Sequence, residues 1–144
     1  MSSPALALGF DYGRRRIGVA VGGQSTGSAQ PLTVVACRDD GPDWDAIAGL
    51  IGEWQPDRLV VGLPYNDDGS ESDMTRRARK FAGRLQARFR IRAELVDERL
   101  TSREAADRLR AERAAGTRRR RVRKEDVDMG AAAVILQDWL DSGT

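Results

Sequence analysis

Three strand-length apolar runs follow one another at the start of this chain, at residues 5–11, 16–22 and 32–38. Each is rich in Val, Ile, Leu and Ala and is bounded by glycine or charge. Parallel strands need a crossover of a dozen or more residues, and the links here are shorter than that. The runs therefore predict an antiparallel three-strand meander, with Pro31 setting off the third. Any fold open to this chain must begin with that sheet.

Period and breakers change after the meander. Residues 43–54 put Trp44, Ile47, Leu50, Ile51 and Trp54 at helical spacing, and Pro56 stops the helix. RLVVGL (58–63) is continuously apolar, as in a buried parallel strand. PYNDDGS follows as a loop in which Asn66 and Gly69 suit turns and Ser70 or Ser72 can cap a helix. Residues 71–89 form a long helix with Met74, Ala78, Phe81, Leu85 and Phe89 on one face and a strongly basic opposite face. RAELVD (92–97) reads as a strand. Residues 102–114 predict a helix, its start fixed by a capping box of Thr101 and Glu104. Residues 116–124 have no apolar period and read as a mobile basic loop. Residues 128–140 form a final helix, with Ala131, Ala132, Ile135, Leu136, Trp139 and Leu140 as its apolar stripe.

The order β-β-β-α-β-α-β-α-α predicts one α/β domain over residues 1–144. Its five-stranded mixed sheet, meander plus parallel strands, is flanked by helices on both faces. Sites in such sheets gather at the carboxyl ends of the parallel strands.

Three acids stand at positions that this topology brings together. Asp11 ends the first strand, Glu98 follows the last strand, and Asp128 opens the final helix. Each has a structural role open to it: a turn acceptor, a partner for Arg99 or Arg103, a helix cap. Asp126 competes with Asp128 for the helix start, but the small residues Ala131 and Ala132 lie one turn beyond Asp128 and allow close approach to the sheet. Alternation sends Asp97 to the face opposite Glu98. Clustered carboxylates repel, and hard divalent cations relieve that repulsion. Oxygen ligands select Mg²⁺ or Mn²⁺. Asp11, Glu98 and Asp128 are thus both the candidate metal ligands and the candidate catalytic groups.

The chain has no histidine and one cysteine. Ser-His and Cys-His hydrolases, histidine-rich zinc sites and nucleases with a histidine base are thereby excluded. Cys37, inside an apolar run, reads as a buried inert thiol in an intracellular protein. No apolar run is long enough to cross a bilayer, and the first residues lack the pattern of a secretory signal. A cytoplasmic location is expected.

Charge is segregated. Residues 76–124 carry 19 Arg or Lys against 6 Asp or Glu, net +13, and the remainder carries 5 against 16, net −11. The cations are 22 Arg to 2 Lys, and arginine is the better bidentate phosphate ligand. A polyanion partner follows. Candidate phosphate contacts are Arg14 and Arg16 beside Asp11, Asn66 in the loop over the site, Arg99 beside Glu98, and the basic run Arg118, Arg119, Arg120, Arg121, Arg123 and Lys124. Strand alternation favours Arg16 over its neighbours. Gly13, in the first turn, is read as a residue needing positive φ.

FDYGRRRIGVAVG, VVGLPYNDDGS, VDERLTSREA and EDVDMGAAAVILQDWL, in this order, resemble the YqgF (RuvX) family over residues 6–140. These are Holliday-junction-resolvase-like proteins of the ribonuclease H fold, regarded as pre-16S rRNA nucleases. The resemblance implies a ribonuclease H-like sheet and metal-dependent phosphodiester cleavage in ribosomal RNA processing. It puts the family's acidic triad on Asp11, Glu98 and Asp128. The family's second strand commonly ends in Ser-Asp, where this chain has Gly22-Gly23, so a fourth acid there is absent. Structured RNA is expected as partner ahead of DNA. The alternatives are a junction-resolving DNA nuclease, which needs two active sites and hence a homodimer, and a nucleic-acid-binding module without turnover. DYGRRRIGVA also resembles the first phosphate loop of actin-like kinases, but 144 residues cannot supply their two domains.

Overall fold

The computed structural model describes residues 6–38, 41–66, 68–97 and 124–142, with the side chains of 124–126 left aside. Its strands are β1 (Leu6–Asp11), β2 (Arg16–Gly23), β3 (Ser28–Arg38), β4 (Gly41–Pro42), β5 (Arg58–Leu63) and β6 (Ala93–Asp97). Its helices are α1 (Trp44–Trp54), α2 (Asp73–Phe89) and α3 (Lys124–Asp141). The sheet order is β4-β3-β2-β1-β5-β6. β1 to β4 pair antiparallel as successive neighbours, and β5 and β6 run parallel to β1.

The meander and the parallel strands form as the apolar runs predict, but the sheet has six strands. The sixth, β4, is a two-residue edge strand against Cys37 and Arg38, formed where Gly41 takes φ 114. Two residues carry no period to read. β3 is also longer than predicted, because it runs through Pro31 instead of starting after it. Pro31 faces Ala20 where the β2–β3 register shifts, and such an irregularity tolerates a residue without an N–H.

Local signals start and stop the helices. Asp43 accepts from the Ala46 N–H at 3.1 Å, and Gln55 closes α1 in the left-handed region. Ser72 and Thr75 cap α2 reciprocally, and both hydroxyls donate to the Pro64 carbonyl, at 3.2 and 2.5 Å. That cap ties the start of α2 to the end of β5. The final helix starts at Lys124, a turn earlier than predicted. Asp128 therefore lies in its second turn, and Lys124 is helical. The extra turn, Lys-Glu-Asp-Val, has no apolar stripe to announce it. The helix expected over 102–114 lies outside the described residues.

Each sheet face has its own core. Leu8, Phe10, Ile17, Val19, Leu59 and Val61 point toward α1 and α2. There Phe81 contacts the rings of Phe10, Tyr12 and Trp44, at centroid distances of 5.7, 5.0 and 5.8 Å. Ala7, Ala20 and Val60 point the other way, against Ala132, Ile135, Leu136 and Trp139 of α3. Burying those larger side chains contributes about 1.5–3 kcal/mol each.

The α3 face of the meander is built of small residues, and two glycines set how close the helix comes. A β-carbon at Gly9 would lie 2.8 Å from Leu136 Cβ, and one at Gly18 would overlap the carbonyl of Asp128. Gln137 fixes the other end of the helix, accepting from the Ala29 N–H at 2.9 Å and donating to the Gly27 carbonyl at 2.8 Å. Gly18→Ala should consequently lift the first turns of α3 from β2. The expected cost is about 1–3 kcal/mol, read by chemical denaturation. A Gly49→Ala control, at a position open to solvent, should cost nothing.

Candidate functional site

The carboxyl end of β1 is where the predicted groups meet. Asp11 pairs across the ladder with Gly18. By alternation it shares the face of Ala7 and Gly9, the face that α3 covers. The backbone of Asp128 rests on Gly18 itself. Asp11 and Asp128 are thus neighbours in space, brought together by one glycine.

Arg16, the first residue of β2, completes this group. It lies on the same face as Gly18, two residues away. Its Nε donates to Asp128 Oδ2 at 2.7 Å, with the two side chains 32% and 24% exposed. A charge-assisted bond in a partly shielded position is stronger than a surface pair. Among the described residues Asp128 Oδ1 has no hydrogen-bond partner.

The intervening turn is tightly made. Gly13 does not have positive φ, contrary to expectation. A β-carbon there would lie 2.5 Å from the Arg16 carbonyl oxygen, so the turn requires glycine for space. The Arg15 carbonyl accepts from the Cys37 N–H at 2.9 Å, and Cys37 is buried, as predicted. Arg14 turns toward the other side of the sheet and meets Asp73 of α2 at 3.3 Å.

Glu98 and Arg99 lie outside the described residues, as do Arg118, Arg119, Arg120, Arg121 and Arg123. β6 leads to the same sheet edge, since its last residue, Asp97, pairs with Leu63 at the end of β5. Val96 packs into the α3 core, whereas Leu95 and Asp97 line a cavity on the α2 side with Leu63 and Tyr65. Asp97 thus lies on the face opposite Val96. Asn66 spends one amide hydrogen on Ser70 Oγ at 2.9 Å, and its carbonyl accepts from the Gly69 N–H. Its contacts among the described residues are those of a turn residue.

Among the described residues no group of three His, Cys, Asp or Glu is assembled for a metal ion. Asp11 and Asp128 are two all-oxygen, carboxylate donors on one face, a set that fits a hard divalent cation. The Arg16 guanidinium shows that a positive charge is already accommodated at Asp128.

The sequence reading missed the other side of this edge. Tyr12 turns away from Asp11 into the α2 core and lines a cavity of about 430 Å³ with Arg77, Lys80, Phe81 and Arg84. Burial and the Cys37 thiol, 3.9 Å from its Oη, hold the Tyr12 phenol above its ordinary pKa, against the pull of Arg77 and Arg84. The signal was present in the spacing of residues 77, 80 and 84 on one side of a helix.

Comparison with known proteins agrees with this architecture. The sequence profile described as "RuvX: Holliday junction resolvase" matches residues 5–142. A Pseudomonas putida protein named "Putative pre-16S rRNA nuclease" is 48% identical over 145 residues, covering 100% of both chains. A protein of the same name from Nitrosococcus oceani is 48% identical over 139 residues, covering 96% of this chain and 88% of its own. Among solved structures, T. thermophilus RuvC in complex with Holliday junction substrate superposes with TM-score 0.56 at 14% identity, over 97% of each chain. The fold is thus that of the RuvC-like, ribonuclease H-type resolvases, and the chain belongs to the RuvX family.

Proposed function

We propose that this RuvX-family nuclease processes the 5′ end of pre-16S ribosomal RNA, with Asp11, Glu98 and Asp128 as its catalytic carboxylates. We further propose Mg²⁺ or Mn²⁺ as cofactor, a single domain over residues 1–144, and a cytoplasmic location. The observation that carries the reading is the meeting of Asp11 and Asp128 on one sheet face over Gly18. The substrate is that of the relatives' name. Among the described residues no helix is long and apolar enough to cross a membrane.

In this reading the protein's own groups have distinct tasks. The carboxylates supply oxygen donors for the metal. When bound, the ions would activate water at neutral pH and stabilise the attacking and leaving oxygens of the phosphodiester. Arg16 orients Asp128 and offsets its charge until a cation takes over that role, and the freed guanidinium then suits a substrate phosphate. The basic run Arg118, Arg119, Arg120, Arg121, Arg123 and Lys124, with Arg14, Asn66 and Arg99, would hold the nucleic acid backbone.

Junction resolution is the second reading, favoured by the family's description. It requires two sites working together, hence a homodimer. Cleavage of labelled single-stranded RNA, a precursor-like rRNA stem, duplex DNA and a four-way junction decides between the substrates. With Mg²⁺ or Mn²⁺ the rRNA stem should be cut best, and EDTA should abolish cutting. Asp11→Asn should lose at least ~100-fold in rate while still binding RNA, a loss typical of removing a group that stabilises transition-state charge. Binding without cleavage by the unaltered protein would return the acids to structural roles.

Arg16 gives a prediction independent of turnover. If its guanidinium competes with a cation for Asp128, Arg16→Gln should bind Mn²⁺ more tightly. The pair is partly exposed and worth about 1 kcal/mol, which predicts roughly a fivefold gain. Isothermal titration in the absence of RNA measures it, and unchanged affinity would remove the competition.

A further inference from the structure

We propose that the α2 side of the edge is a second phosphate-binding surface, on which Arg77, Lys80 and Arg84 hold the backbone of the nucleic acid whose neighbouring phosphodiester lies at Asp11. It rests on the nuclease reading for that last clause alone.

The surface is a cavity of about 430 Å³ lined by these three cations, with Tyr12 and Phe81 among the other lining residues and no carboxylate among the described ones. α2 carries six Arg or Lys and one acid, Asp73. Asp73 is engaged at the helix start by Arg77 at 2.8 Å and Arg14 at 3.3 Å. Lys80 and Arg84 have no carboxylate partner among the described residues. Arg77 shares its single carboxylate, Asp73, with Arg14, and Lys80 and Arg84 add charge that no described carboxylate offsets; a polyanion relieves the resulting repulsion.

The geometry favours a chain of phosphates over a single anion. From residue 77 to 80 to 84 the helix rises about 4.5 and then 6 Å. The cations are thereby strung along an axis instead of converging on one point. Tyr12 also lines the cavity and can offer its phenol hydroxyl. Asp11 and Tyr12 are adjacent residues, about 3.8 Å apart at Cα, whose side chains take opposite faces of the sheet. A strand with one phosphate at Asp11 has only to pass over the turn, along Arg14, to reach Arg77. Pairing with a second copy across this face would set cations on cations, which is costly. This face therefore belongs to the nucleic acid and not to a dimer.

The test is the salt dependence of binding to a short fluorescein-labelled oligoribonucleotide, by anisotropy, in EDTA so that nothing is cut. The variants are Arg77→Gln/Lys80→Gln/Arg84→Gln and a control, Arg58→Gln/Arg90→Gln/Arg92→Gln. The control removes the same charge from the opposite edge of the sheet. Three lost phosphate contacts should flatten the slope of log K against log salt by about 2, at about 0.7 per contact. The affinity should fall by at least ~10-fold, with the control near the unaltered protein. Equal effects of the two triple variants would overturn the proposal, as would displacement of RNA by inorganic phosphate too dilute to act as salt. Circular dichroism melts verify that each variant is folded. Cleavage plays no part in this readout. A protein that binds as predicted but never cuts refutes the nuclease reading alone, and one that cuts with an unchanged slope refutes the surface alone.

Discussion

The contact between the Asp128 backbone and Gly18 is the constraint on which the site depends. A helix normally stands off a sheet by the length of two side chains. Here one partner contributes no side chain at all, so α3 descends until its carbonyl lies against the strand. Only glycine allows that separation. The consequence spreads sideways, because Gly18 has Asp11 as its cross-strand neighbour and Arg16 two residues before it. A carboxylate, a guanidinium and a second carboxylate thus meet through backbone geometry. Gln137 anchors the same helix to the β2–β3 hairpin and keeps it from rolling on its glycine track.

Much of this could be read from residues. Period-two and continuous apolar runs marked β1, β2, β5 and β6, because burial on one or both faces dictates those patterns. Asp11 stood out as a charge where an apolar run ends, and Arg16 as the outward-alternating member of three arginines. What escaped was what burial does not write into the sequence. β4 consists of two residues made by the backbone freedom of Gly41. The first turn of α3 is polar. Gly13 is required by the carbonyl of Arg16, three residues on, a clash visible only in three dimensions. The small residues of the α3 face were noticed on the helix, at Ala131 and Ala132, whereas the decisive ones lie on the strands.

The two sides of the sheet edge differ in charge as well as in packing. On one side carboxylates are held beside the Arg16 guanidinium, and on the other α2 presents cations around a partly buried phenol. Asp11, the last residue of β1, and Tyr12 just after it mark the divide. Strand alternation alone separates these environments, at no cost in chain length.

The same helix has a consequence for how the protein is made. Arg16 and Asp128 are 112 residues apart in sequence, so the contact that assembles the site is among the most non-local in the chain. Such contacts close late, since the intervening chain must first be ordered. During synthesis Arg16 emerges well before Asp128, which follows 112 residues later. A ribosome-bound nascent chain holds the meander without the helix that delivers Asp128. The pairing of Arg16 with Asp128 therefore waits on 112 residues of intervening chain, while the meander needs only its own neighbours.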